Sequence, residues 1–212
     1  MSLVVEMVDR RRITDLVAVL IILAVGFGVG FGVASFLPKS YSVSPIQNSQ
    51  PTQSPQVVYL AVVPDYGGPG WDAFVPLKYL GEPITAKENQ SIIDNNITVK
   101  AGVPVKFVII NIDTMNAMNF SGTVNVPFTI YNDTPNGQIA VTYNQGQQIE
   151  NLSIGHTFTV PKLGINIPIP PDTVVSFTYT FNTPGTYEYL CITPCGPGMG
   201  QVGYMVGYII VQ

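Results

Sequence analysis

Residues 16–37, LVAVLIILAVGFGVGFGVASFL, carry no charged side chain over 22 positions. As an α-helix the run is about 33 Å long, close to the thickness of a bilayer's hydrocarbon core. An isolated apolar segment in lipid satisfies its backbone only as a helix, so the run predicts one transmembrane helix and divides the chain into two parts. A cleaved signal peptide would have a shorter apolar core and a small-residue cleavage site, and neither stands out here. Arg10, Arg11 and Arg12 precede the run and only Lys39 follows it closely. That bias predicts a cytoplasmic N-terminus over residues 1–15 and an extracytoplasmic remainder. Gly26, Gly28, Gly30 and Gly32 form two overlapping small-xxx-small pairs, a helix-packing face that lets another helix's backbone approach closely.

Residues 38–56, PKSYSVSPIQNSQPTQSPQ, hold four prolines among Ser, Gln and Thr without any apolar period, which predicts an extended stalk. From residue 57 to 212 the pattern changes to short runs rich in Val, Ile, Thr, Tyr and Phe, broken by Pro, Gly and Asn. Runs at 57–63, 97–99, 105–110, 127–131, 139–143, 156–160, 174–181, 186–190 and 204–211 read as strands. Asn136-Gly137 favours a hairpin turn between two of them. Eight to ten strands at this spacing predict an all-β antiparallel sandwich or barrel.

Charge excludes one class of partner. From residue 40 onward five lysines face ten acidic residues, so no cationic surface awaits a nucleic acid. Five Asn-x-Ser/Thr sequons, at Asn89, Asn96, Asn119, Asn132 and Asn151, all fall in the part assigned to the outside and predict a glycoprotein. Only 10% of residues are charged, which suits an acidic exterior where carboxylates are protonated.

The residues with chemistry are few. His156 is the only histidine, in GHTFTVPKLGINIPIPP, and Cys191 and Cys195 follow in EYLCITPCGPGMGQVGYM with Met199 four further on. Imidazole, two thiols and a thioether are ligands for copper, and a soft Cu(I) ion accepts such a set. The other reading of Cys191 and Cys195 is a disulfide across a short Pro-containing loop outside the cell. For His156 the alternative is a buried imidazole bonded to backbone. Trp71, the single tryptophan, follows GGPG and reads as core or rim. No general acid and base pair, nucleophile triad or phosphate-binding loop is present, and Glu188 reads as a strand residue.

ITVKAGVPVKFVIIN looks like a cupredoxin strand pair, and GHTFTVPKLG with NTPGTYEYLCITPCGPGM and GYMVGYIIV resembles subunit II of haem-copper terminal oxidases. The resemblance spans roughly residues 97–212, apart from an insertion around 120–150. Members with a binuclear copper centre read Cys-x3-Cys-x3-His-x2-Met, with an upstream histidine and a Glu between the cysteines. His156, Cys191 and Cys195 match that pattern. Met199 stands in place of the second histidine, Val202 in place of the methionine and Thr193 in place of the glutamate. One imidazole cannot supply the two that a binuclear centre or an ordinary blue site needs.

The resemblance therefore implies a cupredoxin-like Greek-key domain in a membrane-anchored, non-catalytic subunit of a quinol oxidase. Its partners would be a multi-span haem-bearing subunit I and the other oxidase subunits. No cofactor is favoured, and the sequons and low charge point to an acidophilic archaeon. Two alternatives stay open: a membrane-tethered copper or electron carrier using His156, Cys191, Cys195 and Met199, and a glycosylated surface protein with a borrowed fold.

Overall fold

The computed structural model describes residues 54–77 and 94–212. The expected transmembrane helix with Gly26, Gly28, Gly30 and Gly32, most of the stalk, and Asn89 lie outside the described residues.

The first half of the described chain contains β1 (Gln56–Val63), β2 (Ala73–Pro76), β3 (Ile97–Val99), β4 (Pro104–Asn111), β5 (Met118–Thr123), β6 (Phe128–Thr134) and β7 (Gly137–Tyr143). The second half adds β8 (Gln148–Ile154), β9 (His156–Val160), β10 (Ile165–Ile169), β11 (Val174–Thr180), β12 (Gly185–Leu190) and β13 (Val206–Val211). They form a six-stranded sheet, β2-β1-β4-β11-β6-β7, a five-stranded sheet, β10-β9-β12-β13-β3, and a two-stranded ribbon, β5-β8.

Alternation along the strands explains why two sheets face one another. Val105, Phe107 and Ile109 of β4 share a core with Val175 and Phe177 of β11, while Phe158 of β9, Ile167 of β10, Tyr189 of β12 and Ile209 of β13 enter it from the other sheet. Phe107 stacks on Phe177 at 4.8 Å and Phe158 on Tyr189 at 4.8 Å, and Phe107 meets Phe158 at 5.5 Å between the sheets. Offset and tilted ring pairs of this kind add to the area they bury. The result is the two-sheet β sandwich that the resemblance implies.

Several expectations change in detail. The sheets are mixed, because β1 pairs with β4 in parallel and β13 with β3 in parallel. Four strands escaped the sequence reading. β5 and β8 are polar on exposed faces, β2 ends in Pro76, and β10 contains Pro168, which its place at the sheet edge tolerates. The unplaced stretch around 120–150 is the β5–β8 ribbon with the β6–β7 hairpin between its strands. That hairpin turns one residue earlier than expected. Thr134 pairs with Gly137, so Pro135 and Asn136 form the loop and Gly137, at φ 114°, opens the return strand.

Candidate metal centre

The antiparallel contact between β9 and β12 brings the sequence-distant donors together. Leu190 pairs with Thr159, and the same register continued past β12 carries the chain alongside His156, the first residue of β9. The Ile192 amide donates to the Thr157 hydroxyl at 3.0 Å, which fixes the start of the cysteine loop against β9. The Cys195 amide then donates to the Thr193 carbonyl at 2.7 Å, a tight bend that turns the second cysteine back toward the first. The Sγ atoms of Cys191 and Cys195 stand 3.0 Å apart, and Nδ1 of His156 lies 4.0 Å from Cys191 Sγ. One ligand atom from each of the three residues falls within 4.8 Å of the others, and none of the three side chains exceeds 1% exposure.

The expected disulfide is not formed in this structure. Both cysteines are free thiols, 3.0 Å apart rather than the roughly 2.05 Å of an S–S bond. Cys191 Sγ has a further partner: the Thr193 hydroxyl is 3.0 Å away and donates to the Gly155 carbonyl at 2.8 Å.

Asp113, which the sequence reading passed over, completes the arrangement. Its Oδ2 is 2.9 Å from His156 Nε2, and its Oδ1 accepts the Met115 amide at 2.9 Å. The Asp113 amide donates to Asn111 Oδ1 at 3.0 Å, and Asn111 Nδ2 donates to the Pro170 carbonyl at 2.8 Å. This bracing is close-packed against the residue before His156. A Cβ on Gly155 would lie 2.5 Å from the Met115 carbonyl oxygen, so a side chain there would push the Asp113 segment away. Carboxylate on one imidazole nitrogen and sulfur facing the other is the arrangement by which proteins orient metal-binding histidines.

Burial by itself would push His156 toward the neutral form, but the Asp113 carboxylate and the Cys191 sulfur outweigh it and raise the imidazole pKa to about 9. Burial likewise works to raise Asp113, yet its bonds to His156 and to the Met115 amide hold it below the ordinary carboxylate value. Cys191 is drawn well below an ordinary thiol, first by the hydrogen bond from Cys195 and then, against the cost of burial, by His156. Cys195, donating that bond, is pushed up. These shifts favour a proton on His156 and on Cys195 over one on Cys191, with Asp113 bracing the imidazole. Asp72, buried beside Asp113 and His156, is pushed up chiefly by burial.

Two glycine-rich loops close over this end of the sandwich. Gly196 has φ 91°, a left-handed conformation suited to glycine, and a Cβ there would collide with the Gly70 carbonyl. Trp71 packs on Tyr204 with centroids 5.0 Å apart, and the Phe74 amide donates to the Tyr204 carbonyl at 3.0 Å. GGPGW and CGPGMG are therefore the two sides of one close backbone approach, and Trp71 is rim.

Not every predicted donor is brought in. Met199 lies on the 3-10 turn Pro197–Gly200 and is 38% exposed, and Val202 is 41% exposed, so counting at fixed spacing from the cysteines leads to the surface. Met205 instead is fully buried in the core that contains both cysteines, and its carbonyl accepts the Cys191 amide at 3.0 Å. The one signal in the sequence was its place at the start of the apolar run that becomes β13. Glu188 is an exposed strand residue, as expected. Asn96, Asn119, Asn132 and Asn151 are all exposed.

The donor set settles which copper group fits. A binuclear centre with two imidazoles does not, because the chain has a single histidine. Two sulfurs and one imidazole nitrogen do suit a single soft ion.

No family model and no curated protein matches the sequence. Among solved structures the chain is similar to a heme-copper terminal oxidase dimer, at 18% identity and TM-score 0.36 over 96% of this chain and 100% of that one. It is also similar to the periplasmic domain of subunit II of cytochrome oxidase from Bradyrhizobium japonicum, at 12% identity and TM-score 0.35 over 74% and 83%. A multi-copper oxidase from Pediococcus acidilactici aligns at 13% identity and TM-score 0.35, with 85% of this chain spanning only 30% of that enzyme. At these scores the likenesses decide nothing about activity.

Proposed function

We propose that the chain is a membrane-anchored, non-catalytic subunit of a haem-copper terminal oxidase of the quinol-oxidising kind, with a cupredoxin-like domain outside the membrane. The observation that carries this reading is a cluster in the matching place, His156 with Cys191 and Cys195, built around the chain's only imidazole. A binuclear copper pair that receives electrons from a soluble donor needs two such nitrogens. Without it, the electrons come from within the membrane, and the chemistry belongs to a multi-span haem-bearing partner. The residues of this chain then hold a braced, water-excluded cluster and present the loop end of the sandwich. An archaeal, acidophilic setting agrees with the low charge and the exposed sequons.

Mild detergent extraction followed by affinity purification of the full chain tests this. Copurification with a haem protein that oxidises quinol, without a mixed-valence copper chromophore, is the expected result. Elution of the chain alone, or a purple binuclear spectrum, overturns it. A second reading, a membrane-tethered copper-binding protein, is favoured by the gathering of ligand atoms of both cysteines and His156 within 4.8 Å.

A further inference from the structure

The geometry points to a site for one soft monovalent cation, such as copper(I), formed by Cys191, Cys195, Nδ1 of His156 and the thioether of Met205, with Asp113 as the residue that positions the imidazole. This inference rests on the metal-binding reading of the cluster and is independent of membership in an oxidase.

Three observations carry it. First, the two thiols and the imidazole nitrogen lie within 4.8 Å of one another and are sealed from water. Second, the imidazole is already turned: Asp113 occupies Nε2 at 2.9 Å, which leaves Nδ1 on the sulfur side. Third, the β12–β13 ladder pairs Tyr189 with Gly207 and Leu190 with Val206, and one step further sets Cys191 opposite Met205, joined by the amide-to-carbonyl bond of 3.0 Å. Residues directly opposite in an antiparallel pair present their side chains on the same face, at Cβ separations of about 4.5–5.5 Å. Cys191 at 1% and Met205 at 0% exposure share the same buried cluster. Met205 thus lies opposite Cys191 on the same buried face, whereas Met199 lies on the outer turn.

The chemistry of the set selects the ion. Thiolate and thioether sulfur favour copper(I), and a thioether adds little for a divalent ion that prefers nitrogen or oxygen.

The full-length chain in detergent, with thiols reduced, is titrated with silver(I) as a redox-inert probe and with copper(I) in competition with a chromogenic chelator. Methionine methyl groups labelled with carbon-13 report the donor directly. The expected result is one ion per chain, a shifted Met205 methyl resonance and an unmoved Met199 resonance. Met205→Leu should weaken binding about tenfold or more, and Asp113→Asn about 10- to 100-fold, while Met199→Leu leaves it unchanged. Leucine keeps the buried volume of methionine, so Met205→Leu should retain the fold, as circular dichroism would verify. If neither ion binds, the metal-binding reading itself falls. If one ion binds but the Met205 resonance and the Met205→Leu affinity stay unchanged, the thioether assignment falls and a three-donor site remains. Two bound ions per chain overturn the single-ion stoichiometry.

Discussion

The cluster end of the sandwich and the flap formed by β5 to β8 are built on opposite terms. Around His156 each polar group is buried and bonded, from Asn111 through Asp113 to the two cysteines, and a single Cβ on Gly155 or Gly196 would force neighbouring backbone apart. In the flap, β7 is exposed along nearly its whole length, with Ile139 at 53% and Val141 at 41% exposure. The flap is anchored to the core through Phe128 and Ile130 of β6 and Ile149 of β8, while its outer strand β7 keeps its hydrogen-bonded pairing but leaves its side chains in solvent. Constraint is tight at the cluster end and loose along β7, and substitutions should read out that difference.

The largest effect belongs to the core just beneath the cluster. Phe158→Ala removes a fully buried ring that touches Phe74, Phe107, Phe177 and Tyr189, and should lower unfolding free energy by about 3–5 kcal/mol in chemical denaturation. Asp113→Ala strips the buried His156 ring of its carboxylate partner and should cost about 3 kcal/mol in chemical denaturation. If the stability loss is below about 1 kcal/mol, the carboxylate is not bracing the ring. Gly196→Ala should cost about 1–3 kcal/mol, because it combines a left-handed backbone with the Gly70 approach. At the other extreme, Ile139→Thr in the flap should change stability by no more than about 0.5 kcal/mol.

The pH response sharpens the comparison, since every group in it sits at the cluster end. His156, raised from 6.5 to about 9, contributes stability that is full below 6.5 and lost as pH rises through 9. Cys191, lowered from 9.0, contributes stability that is present above 9.0 and lost as pH falls through its depressed range. Between about 6.5 and 9 the folded chain holds on His156 the proton that the unfolded chain holds on Cys191. The two slopes cancel and stability should be flat. Below 6.5 the unfolded chain takes up a second proton, and stability should fall with acid. Asp113, lowered, adds to that loss, and Asp72, raised by burial, opposes it. Cys191→Ser removes the cancellation, so stability should decline from about pH 6.5 upward. Urea unfolding across pH 5 to 10 checks both curves, and a sloping wild-type plateau would mean that the proton has not passed from sulfur to nitrogen.

Strands such as VVSFTYT and TYEYL were legible because alternation is a property of neighbouring residues, and so was the turn-rich spacing that requires a β sandwich. β5 and β8 were not, since their polar faces meet solvent and carry little apolar pattern. His156, Cys191 and Cys195 announced themselves by residue type. Asp113 did not: an acidic residue in NIDT has no local mark, and only the fold brings it to His156 across 43 positions of sequence.

By itself the sequence determined the strand-and-turn rhythm, the supply of donors and the shortage of imidazole, because each of these is set by composition and by local periodicity. Only the tertiary structure decided that Met205 is buried opposite Cys191 while Met199 lies on the surface, that two strand pairs run parallel, and that a carboxylate holds the ring. Those outcomes depend on which strands become neighbours and in what register, and register is fixed by burial of the whole core rather than by any short stretch of chain.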